Sequence, residues 1–228
     1  MLDMKDVCKT YPGGNVALRD VNVHIDPGEF VFIVGPSGAG KSTFIKMLLR
    51  EVLPTSGSIE VNGKDIVSMD LKQVPYLRRQ LGIIFQDYRL LPDRTVYENV
   101  AFAMQVIETP YYKIRRRVMR VLDLVGLHRR AQAYPNELSG GEQQRIAIAR
   151  AIVNEPRLVI ADEPTGNLDP ETSREIMEIF TAINEGGTTI IMATHDKDIV
   201  DSMAKRVIAI ERGQIVRDEQ NGVYGYES

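Results

Sequence analysis

Short, continuously apolar runs recur along the chain, and helical patterns lie between several of them. Continuous apolar runs bounded by glycine are typical of strands buried on both faces of a sheet. The runs are Phe30–Val34, Leu81–Phe85, Leu158–Ala161, Thr189–Ala193 and Val207–Ile210. Strands that alternate with helices favour an α/β core with a largely parallel sheet.

The segment before Phe30 has a different pattern. Its apolar residues fall mainly at alternate positions, and Gly13-Gly14 supplies a turn before them, which predicts strands. These apolar residues are Val16, Leu18, Val21, Val23 and Ile25. We therefore expect a β-rich beginning ahead of the α/β core.

From about Thr95 to Val153 the pattern is helical and contains no convincing strand. Five apolar residues of one predicted helix lie at helical spacing on a single face. They are Ile114, Val118, Val121, Leu122 and Val125. Pro110 and Pro135 punctuate the segment. The pattern predicts a mostly helical subdomain inserted into the α/β core.

The same helix carries a basic run, Lys113 and Arg115–Arg117 with Arg120. We interpret the run as the solvated face of an amphipathic helix, because the apolar residues form its other face. Contact with anionic lipid headgroups or with a membrane partner is the alternative. A nucleic-acid surface is disfavoured, since no aromatic residues interleave with the arginines.

Composition limits the class of protein. The chain has 228 residues, of which 43% are hydrophobic and 26% charged, which is typical of a globular protein that buries a core without disulfides. The net charge of −3 does not suggest a dedicated nucleic-acid binder. Cys8 is the only cysteine, which excludes an intramolecular disulfide, and we expect it half-buried in a strand. Neither a membrane span of roughly 18 apolar residues nor a signal peptide is apparent.

Residues 35–42 match the phosphate-loop pattern G-x-x-x-x-G-K-[ST] at every fixed position, between a predicted strand and a predicted helix. The loop is Gly35, Pro36, Ser37, Gly38, Ala39, Gly40, Lys41 and Ser42. Glycines let backbone N–H groups converge on phosphates, and the helix N-terminus adds partial positive charge. We expect Lys41 to reach the β- and γ-phosphates, Ser42 to ligate Mg²⁺, and Thr43 to add a phosphate contact.

Two carboxylates, Asp162 and Glu163, end the apolar strand 158–161. Uncompensated carboxylates at the end of a buried strand are costly, so they need a cation or a solvated cleft. Ligands of open α/β sheets bind at the carboxyl ends of the strands. Asp162 is therefore a candidate Mg²⁺ ligand, and Glu163 a candidate for polarising the attacking water in nucleotide hydrolysis. Two solvated acids at a strand end are the alternative.

A further motif, Leu138–Arg145, opens an apolar-periodic helix. Ser139 and Glu142 fit an S-x-x-E capping box, which fully accounts for those two residues. Capping does not require Gly140 and Gly141, which are poor helix formers. These glycines would leave the first N–H groups of the helix open to an anion.

Residues 138–145 resemble the signature motif of ABC-family ATPases, and further family marks occur in order along nearly the whole chain. By this resemblance, Ser139, Gly140 and Gly141 of one subunit close on the γ-phosphate held by another. Other roles are implied for single residues. These are adenine stacking by Tyr11, Mg²⁺ sensing by Gln86, a dimer-interface position for Asp169, and a γ-phosphate contact for His195.

Each of these marks has a plainer interpretation. Tyr11 alone would be an ordinary strand aromatic, and His195 alone a satisfied loop histidine. Asp169 with Pro170 also fits a helix N-cap followed by proline at the first helical position. Gln86 alone carries no information. Their shared order along the chain is what favours the family interpretation.

The resemblance implies an α/β P-loop NTPase core of the RecA-like type, with an N-terminal antiparallel β subdomain and an inserted α-helical subdomain. We expect one domain over 1–228, with 1–94 and 154–228 as the ATPase core and 95–153 as the helical subdomain. ATP and Mg²⁺ are the implied cofactors. One phosphate loop and one signature imply a homodimer with two composite sites.

Within the family, several segments resemble the branch that acts in bacterial cell division with a membrane subunit and controls cell-wall hydrolases. The segments are Phe44–Lys46, Pro75–Gln80, Gly82–Leu91, Arg94–Val100, Asp162–Asp169 and the tail to Tyr226. This branch implies a peripheral position on the cytoplasmic face of the membrane, enriched at the division site, and no nucleic-acid partner. Branches that export lipoproteins, macrolides, peptides or small solutes are the alternative, and a DNA-linked ATPase is a third hypothesis.

Overall fold

The computed structural model describes residues 1–225, which form two compact units. The first unit combines Met1–Arg78 with the chain from Thr189 onward, and the second is Arg79–Thr188. In chain order the elements are β1 (Leu2–Thr10), β2 (Val16–Ile25), β3 (Phe30–Val34), α1 (Lys41–Leu48), β4 (Ser56–Val61), β5 (Lys64–Asp65), a 3₁₀ turn (Leu71–Gln73), α2 (Val74–Arg78), β6 (Leu81–Ile84), α3 (Val96–Val106), α4 (Tyr111–Leu124), two 3₁₀ turns (His128–Arg130 and Pro135–Glu137), α5 (Gly140–Ile152), β7 (Leu158–Asp162), α6 (Pro170–Glu185), β8 (Thr189–Ala193), α7 (Lys197–Met203), β9 (Arg206–Glu211) and β10 (Gln214–Glu219).

The strands of the first unit form two groups, one antiparallel sheet and one set of parallel strands around β3. Strands β2, β1, β4 and β5 form an antiparallel sheet in that order, with Leu2 opposite Ile25 on one side and Val61 on the other. Strand β3 lies between β8 and β9 and is parallel to both. Every residue of β3 is buried, as expected for a strand covered on both faces. The predicted α/β class with an N-terminal antiparallel β portion is confirmed.

The second unit is mainly helical. Its two strands, β6 and β7, pair in parallel, with Leu81 opposite Leu158. The apolar face predicted for α4 is buried at all of its positions, which confirms that pattern. Arg117, however, is only half-buried and is held by two partners. Its Nε donates to the carbonyl of Val153 at 3.0 Å, and its Nη1 lies 2.5 Å from a carboxylate oxygen of Glu155.

The hydropathy pattern missed three strands. Strands β4 and β5 carried no predicted element, and β10 falls in the polar tail, where the pattern predicted no strand. Every residue of β10 is exposed or half-buried, because it pairs only with β9, through contacts such as Ile215 with Ile210. An edge strand of this kind shows no apolar run. Cys8 is half-buried in β1, as predicted, and Tyr226 lies outside the described residues.

Within residues 1–225, none of the helices combines the length and the apolar composition that crossing a bilayer requires.

Candidate nucleotide-binding site

The loop between β3 and α1 depends on two glycines in the left-handed region of backbone conformation. Gly35 has φ 144° and Gly40, which precedes α1, has φ 118°. A Cβ atom at Gly35 would lie 2.1 Å from the carbonyl oxygen of Ile210, and one at Gly40 would lie 2.6 Å from that of Ala17. Larger residues therefore fit neither the backbone angles nor the space. The neighbouring backbone at Ala17 and Ile210 therefore leaves room only for glycine at these two positions of the loop.

Lys41 folds back over this loop. Its ammonium group donates hydrogen bonds to the carbonyl oxygens of Gly35 at 2.6 Å and Pro36 at 3.2 Å. Ser42 in the first turn of α1 is exposed and Thr43 is half-buried. The ammonium group of Lys41 is thus positioned above the loop, where an entering phosphate could replace the carbonyl oxygens of Gly35 and Pro36 as its partners.

Tyr11 lies beside the loop. Its hydroxyl is 3.3 Å from the hydroxyl of Thr43, and its backbone N–H donates to the carbonyl of Asn15. The tyrosine, residues 15–17 and residues 38–43 line a cavity of about 220 Å³. Tyr11 and the start of α1 therefore line the same small cavity.

His195 belongs to the same edge of the first unit. It follows the carboxyl end of β8 and is exposed. The N–H of Thr194 donates to the carbonyl of Ile33 at 3.3 Å, which ties the end of β8 to the end of β3. Because the carboxyl ends of parallel neighbours meet at one edge, His195 and the phosphate loop leave the sheet on the same side.

The second unit contains the two strand-end carboxylates, both half-buried. Asp162 is the last residue of β7, and Glu163 has φ 50°, in the left-handed region. The turn is closed by a hydrogen bond from the N–H of Gly166 to the carbonyl of Glu163 at 3.2 Å. Such a conformation in a residue other than glycine is uncommon and is concentrated at functional sites.

Gln86 contacts the loop that follows Glu163. The side-chain amide of Asn167 donates to the backbone carbonyl of Gln86 at 3.3 Å. A Cβ atom on Gly166 would lie 3.0 Å from Nε2 of Gln86. The pairing of β6 with β7 brings these loops together, because both follow the carboxyl ends of parallel neighbours. A movement of Gln86 would therefore displace the loop that directly follows Asp162 and Glu163.

Ser139 caps the signature helix α5 with the predicted capping box. The hydrogen bond from the backbone N–H of Ser139 lowers the pKa of Glu142, with a smaller part from the Ser139 side chain. Gly141 is buried, and a Cβ atom there would lie 2.4 Å from Cγ2 of Thr172 in α6. Gly140, by contrast, is exposed. Gly141 therefore also has a packing role, which the pattern alone did not show.

Asp169 caps α6, as one of its two sequence interpretations predicted. Its carboxylate accepts hydrogen bonds from the N–H groups of Glu171 and Thr172 and, at 2.6 Å, from the Thr172 hydroxyl. The Thr172 hydroxyl is the largest cause that holds the pKa of Asp169 below its usual value. Capping uses only part of the exposed carboxylate, which leaves acceptor capacity for a second partner.

The model of the ABC transporter family matches residues 18–166. Curated proteins named cell division ATP-binding protein FtsE are similar over essentially their full length. The Streptococcus pneumoniae R6 protein is 60% identical over 100% of this chain and 99% of its own length. The Bacillus subtilis protein is 59% identical over 99% of both chains, and the Escherichia coli K12 protein is 46% identical over 94% and 97%.

The chain belongs to the ABC transporter family of ATPases, in its FtsE group. Solved structures agree. A dimeric structure of a post-hydrolysis state of the ATP-binding cassette MJ0796, bound to ADP and Pi, has a TM-score of 0.86 and 36% identity, covering 99% of this chain and 100% of that one. CbiO1 from Clostridium perfringens, part of the ABC transporter complex CbiONQ, has a TM-score of 0.90 and 34% identity, covering 96% and 88%. The chain is an ABC-type ATPase, which converts ATP and water to ADP and phosphate.

Sequence reasoning missed a residue that positions the segment after Gln86 in this ABC ATPase. Arg150 of α5 donates to the carbonyl of Arg89 at 2.6 Å and to that of Tyr88 at 2.7 Å. Tyr88 and Arg89 have φ 57° and 49°, so two consecutive residues are held in the left-handed region. Burial lowers the pKa of Arg150. No sequence signal marked Arg150, because its partners are backbone carbonyls of residues that lie about 60 positions earlier in the chain.

Asn99 in α3 has a similar positioning role. Its side-chain oxygen accepts from the N–H of Leu91 at 2.8 Å, and its amide donates to the carbonyls of Leu91, Arg94 and Thr95. The side chain is fully buried. One asparagine therefore satisfies the backbone of the loop between β6 and α3, as buried polar groups require.

Replacing Arg150 with alanine should lower the free energy of unfolding by about 2 kcal/mol, because charge-assisted hydrogen bonds to two carbonyls are lost. Arg150→Lys should recover only part of this loss, since one ammonium does not reproduce the planar fork. Urea unfolding provides the measurement. Arg174→Ala, at an exposed position of α6, is the control and should stay within about 0.5 kcal/mol of wild type. Equal stability of all variants would contradict the positioning role.

Alanine at Gly141 should destabilise the chain by about 1–3 kcal/mol, because the new methyl group overlaps Cγ2 of Thr172. Gly140→Ala should be tolerated better, since its nearest neighbour is the Tyr88 hydroxyl at 3.3 Å. Thermal unfolding distinguishes the two. Adding Thr172→Ser to Gly141→Ala removes the overlapping carbon and keeps the hydroxyl that binds Asp169, so stability should partly return. No rescue would show that packing against Thr172 is not the cause.

Proposed function

We propose that the chain is the ATP-hydrolysing subunit of a complex with the membrane protein FtsX in bacterial cell division. Two copies would close around two ATP molecules, open after hydrolysis, and drive a conformational change in FtsX that controls cell-wall hydrolases outside the cell. The chief support is the full-length similarity to FtsE proteins, at 60% identity for the Streptococcus pneumoniae protein. The proposed location is the cytoplasmic face of the membrane, enriched at the division site.

The nucleotide would bind at the phosphate loop. The loop N–H groups and Lys41 would hold the phosphates, and Tyr11 would stack on the adenine. The ring of Tyr11 lies with the start of α1 on one cavity, which supports this arrangement. Thr43 would add a contact, provided that its hydroxyl exchanges the Tyr11 hydroxyl for a phosphate oxygen.

Mg²⁺ fits the donor types available. Ser42, Gln86 and Asp162 offer a hydroxyl, an amide oxygen and a carboxylate, and such oxygen donors suit this hard cation. Bound Mg²⁺ would neutralise charge on the β- and γ-phosphates. Ser42 is exposed at the start of α1 and Asp162 is half-buried at the end of β7, so both carry accessible donor atoms.

Glu163 would act on the attacking water. Its carboxylate would accept a hydrogen bond from the water whose oxygen attacks the γ-phosphorus, while the bond from that phosphorus to the bridging oxygen of ADP breaks. His195 would contact the γ-phosphate. The left-handed backbone of Glu163, closed by the Gly166 hydrogen bond, supports a role that needs fixed orientation.

Dimerisation would complete the site. Ser139, Gly140 and Gly141 of one copy would meet the γ-phosphate bound by the other, and Asp169 would lie at the interface. Residues 95–153 would act as the moving helical subdomain, with 86–91 passing the movement to FtsX. The contacts of Arg150 with Tyr88 and Arg89 support this route, because they couple α5, which carries the signature, to that segment.

The test is a pull-down from solubilised membranes with the tagged Glu163→Gln variant and ATP, followed by identification of the bound membrane protein. We expect FtsX with the ATP-loaded variant and much less with Lys41→Ala. Recovery of a permease for lipoproteins, macrolides or small solutes would replace the cell-division function with transport. ATPase activity stimulated by DNA and not by any membrane protein would overturn both.

A further inference from the structure

A basic groove in the second unit is not used by the proposed ATPase cycle. It is a cavity of about 650 Å³ between the end of α3, one side of α4 and the segment after α5. Lys113, Arg116, Arg117 and Arg120 line it from consecutive turns of α4. Lys113, Arg116 and Arg120 are exposed, as the solvated helix face predicted, and with the half-buried Arg117 they share a concave surface.

Three of the four cations in the basic groove have no acidic partner. Arg117 is bound to Glu155 and to the Val153 carbonyl, and Glu155 is the one acid in the described lining. The side chains of Lys113, Arg116 and Arg120 form no hydrogen bond or ion pair within residues 1–225. Gathering like charges without compensation is unfavourable, so the basic groove is complementary to an anion.

Four exposed aromatic and aliphatic residues, called the rim below, lie in the chain at or near the lining residues Ile107 and Lys113. Tyr111 and Tyr112, at the start of α4, are 84% and 76% exposed, and Val106 and Ile107, at the end of α3, are 42% and 38% exposed. The ammonium group of Lys113 lies 5.8 Å from the ring centre of Tyr112. Single exposed apolar residues are ordinary, but these four fall within residues 106–112, which include the groove residue Ile107 and end next to Lys113.

We propose that the basic groove and its rim bind the surface of a membrane that contains anionic phospholipids. The phosphate headgroups would lie against Lys113, Arg116 and Arg120, and Tyr111 and Tyr112 would enter the interfacial layer. Tyrosine prefers that layer because its ring is apolar and its hydroxyl polar. An acidic protein segment would satisfy the cations but would give the exposed tyrosine pair no reason to adjoin them. This contact goes beyond docking on a membrane subunit and does not require one.

Co-sedimentation of the purified full chain with vesicles tests the inference. The vesicles contain phosphatidylglycerol and phosphatidylcholine at about 1:3, or phosphatidylcholine alone. Wild type should bind the first and not the second. The Arg116→Gln/Arg120→Gln variant should bind the anionic vesicles about thirtyfold more weakly, since each basic residue near an anionic surface contributes about 1 kcal/mol. This variant should keep wild-type ATP turnover in solution, which shows that it is folded.

The control is Arg19→Gln/Arg129→Gln, which removes the same charge from two exposed arginines outside the groove. It should change vesicle binding by less than about threefold. An equal loss in both double variants would overturn the inference, because net charge alone would then explain binding. Equal binding to the two vesicle types, or no binding by wild type, would also overturn it.

Two further experiments distinguish a lipid surface from a soluble phosphate as the ligand of the groove. Tyr111→Ser/Tyr112→Ser should weaken vesicle binding at least about tenfold, and an unchanged affinity would remove the interfacial role of the rim. Inorganic phosphate at matched ionic strength can also bind the phosphate loop, so it should shift the melting temperatures of wild type and Arg116→Gln/Arg120→Gln equally. A rise that requires Arg116 and Arg120, with no vesicle binding, would identify a soluble-phosphate site and exclude the lipid surface.

Discussion

Glu163→Gln is expected to lower the kcat for ATP hydrolysis by about 10²-fold or more while ATP binding changes little. A glutamine side chain keeps the volume of glutamate but loses the negative charge that polarises water, and an acid–base group typically contributes 10²–10⁴-fold. The residue lies in a fixed turn after β7, so the substitution should not disturb β7 itself. The variant should therefore accumulate as an ATP-bound dimer.

Steady-state phosphate release and equilibrium binding of a fluorescent ATP analogue measure these two quantities separately. Size-exclusion chromatography with ATP gives the oligomeric state. Glu171→Gln, at an exposed position in the first turn of α6, is the matched control and should retain turnover. Turnover near the wild-type value in Glu163→Gln would remove Glu163 from the hydrolysis step and leave the nucleotide-binding assignments untouched.

Lys41→Ala is expected to weaken ATP binding by about 10- to 150-fold, which corresponds to the 1.5–3 kcal/mol of a charge-assisted hydrogen bond. The loss has a second source in this structure. The ammonium of Lys41 donates to the carbonyls of Gly35 and Pro36, so alanine also leaves the phosphate loop less restrained.

Isothermal titration with ATP and Mg²⁺ measures the affinity. Lys46→Ala is the matched control, because it removes the same charge from an exposed position of the same helix and should bind ATP as wild type does. If the two variants bound ATP equally tightly, Lys41 would not contact the phosphates. If both lost binding equally, the general charge of α1, and not the position of Lys41, would be responsible.

Much of the fold followed from local pattern. The apolar runs predicted β3, β6, β7, β8 and β9, and the structure confirms a strand at each. The spacing of apolar residues predicted the buried face of α4. These predictions succeed because a strand buried on both faces, or a helix buried along one stripe, needs apolar residues at its buried positions. The sequence shows these residues directly. The edge strand β10 was not predicted. Both of its faces carry exposed residues, so it contains no apolar run.

The candidate site was only partly predictable. The phosphate loop and both caps, at Ser139 and Asp169, are short-range features, so consecutive residues specify them. The contact of Gln86 with the loop after Glu163 joins segments far apart in the chain, and only the pairing of β6 with β7 creates it. No local pattern records such a contact.

The sequence by itself determined the type of chemistry: a phosphate loop, strand-end carboxylates and a signature helix, each encoded by neighbouring residues. Only the tertiary structure decided what surrounds them. It placed Thr172 against Gly141, anchored the segment after Gln86 with Arg150, and set the arginines of α4 around a groove. The reason is physical. Backbone conformation and capping depend on adjacent residues, whereas packing and electrostatic complementarity depend on residues that meet only after the chain has folded.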